Sequence, residues 1–151
     1  MKKYIYIILI PLLFLSCDYK PIYSQKDNYN FMIQKINFSG DSEINNLIDK
    51  KLKKYQKKEG KKKFSIFALS SYEKISQSKN QSGKTTNYLI TIDVSFDIKK
   101  DNKVKKFVTK EEFSIKNFSN KFEENNLEKI KKENLVDLII SKLEVQLSQL
   151  E

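Results

Sequence analysis

Apolar side chains recur at every second residue in some parts of this chain and at every third or fourth residue in others. The change of period separates strands from helices. Residues 88 to 98 form the clearest predicted strand, because one set of alternating positions is apolar and the other is mostly polar. That pattern is typical of an antiparallel sheet with one buried face. The apolar set is Tyr88, Ile90, Ile92, Val94, Phe96 and Ile98.

Three further segments predict strands because they are rich in β-branched and aromatic residues and are bounded by turn residues. In the first of them, Met32, Ile36 and Phe38 share one parity and indicate the buried face. Residues 76 to 87 contain no apolar side chain and predict a long hairpin loop before the clearest strand. The three predicted strands cover residues 31 to 38, 64 to 75 and 104 to 116.

Two segments predict amphipathic helices. The first can be capped by Asp41 or Ser42, and the second begins with a capping-box pattern at Asn120 and Glu123. At 1.5 Å per residue the second helix would be about 40 Å long, so we expect a bend or a projecting end. The apolar stripe of the first is Ile44, Leu47, Ile48, Leu52 and Tyr55. That of the second is Leu127, Ile130, Val136, Ile139, Ile140, Leu143, Leu147 and Leu150.

The resulting order is strand, helix, three strands, helix. We therefore predict an α+β fold, a two-layer sandwich in which a four-stranded, mostly antiparallel sheet is covered on one face by two helices. Residues 31 to 151 are long enough for one domain and too short for two. The sequence contains no internal repeat.

The N-terminal region predicts export and a lipid anchor. Residues 1 to 16 combine Lys2 and Lys3 with an apolar run that is too short to cross a bilayer, and Ser16 precedes the only cysteine, Cys17. This is the pattern of a bacterial lipoprotein signal peptide, in which Cys17 is acylated and becomes the new N-terminus. An ordinary secretory signal or an uncleaved anchor is the alternative. Residues 17 to 30 are polar, contain Pro21 and predict a lipidated tether.

The composition argues against an enzyme. The chain has no histidine or arginine, its single cysteine is assigned to lipid, and its three glycines are far apart. The commonest general base, thiolate chemistry and a glycine-rich phosphate loop are therefore all missing. We predict no catalytic residue, no metal and no cofactor beyond the lipid on Cys17. Carboxylate catalysis stays open in principle, but alternation explains Asp93 and Asp97 as outward-facing residues of one strand.

All 29 basic residues are lysine, and the formal net charge is +10. Export and the buried positions of most aromatic residues argue against a nucleic-acid partner. A dense lysine run between residues 50 and 63 is a candidate contact for anionic groups. The alternative is a solvated helix end whose lysines reflect codon bias. The candidates are Lys50, Lys51, Lys53, Lys54, Lys57, Lys58, Lys61, Lys62 and Lys63.

The segment from Cys17 to Tyr23, CDYKPIY, resembles the start of mature LPS-assembly lipoproteins of the alphaproteobacterial LptE family. The length and the order of elements are similar as well. The resemblance implies an outer-membrane lipoprotein, anchored on the periplasmic side, that plugs and helps to assemble a large β-barrel of the LptD type. The pair would deliver lipopolysaccharide to the cell surface without covalent chemistry on the lipoprotein. The lysine run would then be a candidate contact for lipopolysaccharide phosphates or for acidic groups that line the barrel.

The residue after Cys17 leaves an alternative open. Asp18 stands where the family usually has glycine, and Asp in this position retains some lipoproteins at the inner membrane. The chain could therefore be a small envelope scaffold or binding module at the inner membrane or in another envelope complex. Candidate partner contacts come from the tether and from the predicted hairpin loop. They are Tyr19, Pro21, Tyr23, Lys79, Asn80 and Lys84.

Overall fold

The computed structural model describes residues 31–57 and 60–150, which form six elements in the predicted order. Residues 1–30, 58–59 and 151 lie outside the described part, so the predicted signal peptide and tether are not tested by it. The elements are β1 (Phe31–Gly40), α1 (Ser42–Gln56), β2 (Lys62–Lys79), β3 (Thr85–Lys100), β4 (Lys103–Lys116) and α2 (Lys121–Gln149).

The four strands form one sheet in the order β1-β2-β3-β4. β1 pairs with β2 in parallel, because α1 carries the chain back to the start of the sheet between them. β2 with β3 and β3 with β4 are antiparallel hairpin pairs. The α+β prediction, with a mostly antiparallel sheet and two helices, is therefore confirmed.

The core lies between the sheet and the two helices. Four apolar residues of α1 are fully buried, and Leu47 of the predicted stripe packs beside them, partly buried. The buried α1 residues are Ile44, Ile48, Leu52 and Tyr55. From α2 the core takes Val136, Ile139, Ile140, Leu143 and Leu147. From β3 it takes Ile92, Val94, Phe96 and Ile98, so the alternation predicted for this strand is confirmed.

β1 contains a bulge that the sequence pattern did not reveal. Its register against β2 shifts between Ile33 and Lys35, so that one extra residue reverses the parity of the strand. Phe31 and Ile33 are buried before the bulge, whereas Ile36 and Phe38 pack on the core after it. The prediction that Met32 shares a face with Ile36 and Phe38 is therefore wrong.

The predicted long loop at residues 76–87 is also wrong. β2 and β3 continue through most of it, and only Asn80–Lys84 lie between the strands. Hydroxyl groups pair across the two strands, Ser76 with Thr85 at 2.9 Å and Ser78 with Thr86 at 2.7 Å. Backbone pairing and these side-chain hydrogen bonds extend the hairpin although it has no apolar face to bury.

Gly40 determines where β1 stops and α1 starts. Its backbone has φ +90°, and a Cβ atom there would lie 1.8 Å from the backbone oxygen of Ser70. The Asp41 amide donates to that same oxygen at 3.1 Å, and the Asp41 side chain accepts from the amide of Ile44 at 2.9 Å. Of the two predicted caps, Asp41 is the one used. Only glycine fits this junction.

The fold has two distinct ends. At the basal end, β1, β2 and β4 begin, β3 ends, and both helices finish. The rings of Phe31 and Tyr55 lie 4.9 Å apart there, and Lys62 Nζ donates to the carbonyl oxygen of Leu150 at 2.7 Å. At the opposite hairpin end lie the β2–β3 loop (Asn80–Lys84) and the last residue of β4. α2 runs from the hairpin end to the basal end.

Candidate binding surfaces

Buried charges lie along the first half of α2, where they join that helix to the sheet and to α1. Glu128 accepts hydrogen bonds from Tyr72 Oη at 2.6 Å and from Lys74 Nζ at 2.7 Å. Lys132 Nζ lies 3.2 Å from the Glu128 carboxylate and donates to Glu43 of α1 at 2.8 Å. Its Nζ also lies 4.1 Å from the centre of the Tyr72 ring. We call these five residues the internal network.

The pKa values of the internal network follow from burial and hydrogen bonding together. Burial raises the pKa of Glu128, but hydrogen bonds from Lys74, Tyr72 and Lys132 outweigh it and lower the pKa to about 2. Burial lowers the pKa of Lys132, yet hydrogen bonds to Glu43 and Glu128 give a net rise. Among the described residues, no buried side-chain polar atom lacks a hydrogen-bond partner. The polar groups of the internal network therefore have their hydrogen-bond partners within the protein, which is typical of side chains that hold packed elements together.

Lys74 links the network to Glu124, which is almost fully buried at the start of α2. Lys74 Nζ lies 3.1 Å from the Glu124 carboxylate, and the amide of Phe118 donates to that carboxylate at 3.0 Å. Lys121 also donates to it, and this bond is the main reason why the pKa of Glu124 is lowered. Glu124 was not predicted to be buried, because its position in the helix start suggests a solvated cap.

The lysine run divides between two elements. Lys50, Lys51, Lys53, Lys54 and Lys57 lie on α1 or directly after it. Three of these five make ion pairs, Lys51 with Asp137, Lys53 with Asp49 and Lys54 with Glu144. Lys50 and Lys57 are exposed and have no ion-pair partner among the described residues. Of the five predicted contacts on this element, three are therefore already engaged by carboxylates of the protein.

Lys61, Lys62 and Lys63 lie at the start of β2, beyond a close contact at Gly60. A Cβ atom on Gly60 would lie 2.5 Å from the backbone carbon of Phe31, so a larger residue would push β1 away. Lys62 is half-buried because it donates to the last carbonyl groups of α2, whose final turn contains no basic residue. It stabilises the helix end instead of facing solvent. Lys58 lies outside the described residues.

The structure adds lysines that the sequence analysis missed. The β3–β4 turn carries five of them, with Asp101 and Asn102 as its two central residues. Asp101 adopts φ 52°, a conformation that Asp tolerates better than most residues. Because β3 ends where β2 begins, these lysines lie at the same basal end as Lys61–Lys63. The turn lysines are Lys99, Lys100, Lys103, Lys105 and Lys106.

A cavity of about 510 Å³ lies beside this turn. Its apolar lining comes from Ile98, Val104 and Leu150, and lysines of the turn surround it. The clustered pattern KKDNKVKK is the signal in the sequence that could have revealed this site. The basal end therefore combines apolar surface with a concentration of positive charge.

The sheet face away from the helices carries exposed apolar side chains among polar ones. Phe67 and Leu69 of β2 are 41% and 49% exposed, and Val104 and Val108 of β4 are 65% and 58% exposed. In the sheet register, Ser95 of β3 lies between Leu69 and Val108. We call these four apolar residues the open-face patch. Asp93 and Asp97 lie half-buried on the same face, as alternation predicted.

The candidate contacts at the hairpin end have a defined geometry. The side-chain oxygen of Asn80 accepts hydrogen bonds from Ser82 and from the amide of Lys84 at 2.9 Å. Asn80 therefore organises the loop, and Lys79 and Lys84 are exposed on either side of it. The other predicted contacts, Tyr19, Pro21 and Tyr23, lie outside the described residues, as does the predicted lipidation site Cys17.

Within the described ranges, no group of three or more His, Cys, Asp or Glu residues could hold a metal ion. Over the same part of the chain, no helix has the length and apolar character needed to cross a bilayer.

The solved structures that share this fold include two bacterial lipoproteins. Rare lipoprotein B from Shewanella oneidensis matches with a TM-score of 0.55 and 14% identity, over 74% of this chain and 95% of that one. Lipoprotein B from Nitrosomonas europaea matches with a TM-score of 0.52 and 13% identity, over 80% of this chain and 89% of that one. No protein-family model and no curated protein sequence matches the chain. At these identities the likeness shows the fold alone.

Proposed function

We propose that this chain is a lipid-anchored envelope protein that plugs and helps to assemble a large outer-membrane β-barrel of the LptD type, in the delivery of lipopolysaccharide to the cell surface. The observation that carries the proposal is the fold shared with two bacterial lipoproteins over most of their length. The lipoprotein-type signal ending at Cys17 and the CDYKPIY segment support it independently.

Two surfaces suit a plug inside a barrel. The β2–β3 hairpin extends past the end of β1, whose last pairing partner is Ser70 of β2, so nine further residues of β2 project beyond it. The open-face patch leaves apolar side chains of two strands available to a partner. A partner that covers this patch would remove apolar area from water, which favours association.

The first experiment is affinity isolation of the tagged full-length chain from cell envelopes in mild detergent. We expect a stoichiometric outer-membrane β-barrel to co-purify, and we expect metabolically supplied palmitate to label the chain unless it carries Cys17→Ala. Recovery with inner-membrane proteins only would contradict the plug and favour the alternative scaffold, for which Asp18 is the sequence argument. An unlabelled chain would contradict the anchor.

A pair of matched variants tests which apolar surface meets the barrel. We expect Leu69→Ser with Val108→Ser to fold normally and to reduce barrel recovery strongly, because both side chains belong to the open-face patch. The control is Ile130→Ser with Leu138→Ser, which removes two comparably exposed residues from α2. Equal losses in the two variants would show that the open face has no special role.

The lysine run is tested against lipopolysaccharide with Lys50→Gln, Lys57→Gln and Lys63→Gln, which leave the observed ion pairs and the Lys62 contact intact. We expect weaker binding at low salt and a smaller difference at high salt, because exposed charges are screened. Unchanged affinity would assign the run to a solvated surface. Lys62 is left out because its loss would disturb the end of α2.

A further inference from the structure

The basal end concentrates positive charge that the protein itself does not neutralise. Lys99, Lys103 and Lys106 are exposed, and none has an ion-pair partner within the part of the chain that the structure describes. Lys100 lies directly opposite Lys103 in the β3–β4 pairing, so like charges are held side by side. Asp97 lies opposite Lys106 in the same pairing and Asp101 lies in the turn, but neither carboxylate forms an ion pair with a described lysine.

The position of this charge is informative because the chain reaches the described domain at the same end. Phe31, the first residue of β1, pairs with Lys62 at the basal end. Only residues 18 to 30 separate Phe31 from Cys17, and fourteen residue steps span at most about 50 Å. An acyl group on Cys17 would therefore hold Phe31 at the basal end within about 50 Å of the bilayer surface, whereas the hairpin end is attached only through the length of the domain.

We infer that the basal end docks on the anionic phospholipid headgroups of the bilayer that holds the anchor. This inference rests on the proposed lipid on Cys17, and it assigns the lysines of the β3–β4 turn to the membrane and not to lipopolysaccharide. Lysine suits headgroup phosphates because it is a mobile point charge that needs no fixed partner geometry. A polybasic surface and a lipid together give firmer and better oriented attachment than a lipid alone.

The test uses the chain from residue 17 to its end with Cys17→Ser, which contains every described element and carries no lipid. Its partition onto vesicles of phosphatidylcholine with 30% phosphatidylglycerol is compared with its partition onto pure phosphatidylcholine by sedimentation. We expect binding to the anionic vesicles only, and loss of that binding as salt is raised. At about 0.1 M salt the Debye length is about 10 Å. If the chain does not bind to anionic vesicles at that salt concentration, the inference is overturned.

Two triple variants with the same charge locate the contact. Lys99→Gln, Lys103→Gln and Lys106→Gln at the basal end should lower the partition coefficient by roughly 100-fold, from the usual contribution of a lysine at an anionic surface. Lys79→Gln, Lys84→Gln and Lys116→Gln at the hairpin end should change it by less than about threefold. Equal losses would mean that net charge alone drives binding, and would overturn the inference.

Circular dichroism and thermal melting establish that each variant folds. If the basal triple variant unfolds, Lys103→Gln alone replaces it, with an expected loss of roughly fivefold. Co-purification of the barrel is measured on Lys103→Gln alone, because Lys99 and Lys106 share the sheet face of the open-face patch and Lys103 does not. We expect it to be unaffected, so failure of vesicle binding and failure of the proposed plug are separate results.

Discussion

Two groups of lysines in this molecule have opposite roles. Lys74 and Lys132, near the first half of α2, are held by Glu124, Glu128 and Glu43 at distances of 2.7 to 3.2 Å. Four of the five lysines of the β3–β4 turn are exposed, and none of the five has an ion-pair partner among the described residues. The first group joins the helices to the sheet, and the second is available to an external anion.

In a lysine-rich chain, the role of a lysine does not follow from how many lysines lie near it in the sequence. It follows from whether the fold places a carboxylate beside it. Burying a charge costs several kcal/mol unless it is paired and hydrogen-bonded, so Lys132 is tolerated inside only because Glu43 and Glu128 reach it. An exposed lysine pays no such cost and contributes little to stability.

The largest expected effect is that of Glu128→Ala. The change leaves Lys74, Lys132 and Tyr72 without their shared acceptor, and we expect the free energy of unfolding to fall by about 3 to 4 kcal/mol. Chemical denaturation measures this. Glu133→Ala on the same helix is the control and should change stability by less than about 0.5 kcal/mol. Similar values for both variants would remove the distinction between the two groups of lysines.

Lys132→Ala should destabilise by a smaller amount, about 2 kcal/mol, because Glu128 keeps Lys74 and Tyr72 as partners. The neighbouring Lys131 is exposed, and Lys131→Ala should have almost no effect on the unfolding midpoint. This pair compares a buried with an exposed lysine one residue apart. If Lys131→Ala proved the more harmful, the assignment of Lys132 to the network would be wrong.

Lowering the pH should reproduce part of the destabilisation that we expect for Glu128→Ala. The pKa of Glu128 is about 2 in the folded protein, against 4.5 as the ordinary value, so the ionised form stabilises the fold above pH 4.5. That contribution is lost as the pH falls from 4.5 towards 2. We expect the melting temperature of Glu128→Gln to depend less steeply on pH in this window than that of the native chain. Parallel curves would contradict the low pKa.

The smallest expected effect belongs to the basal lysines. Replacing Lys99, Lys103 and Lys106 by Gln should change the free energy of unfolding by less than about 0.5 kcal/mol, because exposed charges without partners contribute little. A slight increase in the free energy of unfolding would also agree with the inference, because Lys100 and Lys103 repel each other across the turn. A loss above about 2 kcal/mol would place these lysines in the fold and weaken their assignment to a membrane surface.

The α+β class, the order of elements, the α1 stripe and the buried face of β3 were predictable, because each depends on a periodicity within one segment. The bulge in β1 was not, because an extra residue reverses the parity that such reasoning assumes. The extension of the β2–β3 hairpin was missed for a related reason. Its hydroxyl pairs join residues of two strands, so no single segment contains the signal.

The lysine run as a binding site stays a prediction. Ion pairs with Asp137, Asp49 and Glu144 engage three of its members, and Lys62 binds the end of α2. These partners lie up to about ninety residues away along the chain. The lipid on Cys17, the barrel partner and the non-catalytic role stay predictions.

The sequence by itself determined the elements, because hydrophobic periodicity is a local property and burial of one face drives each helix and strand onto the others. It also determined the high positive charge and supplied the lipoprotein-type N-terminus. Only the tertiary structure decided which lysines are neutralised and which are free to act. That depends on which carboxylates the sheet and the two helices bring within about 3 Å, where desolvation and pairing must balance.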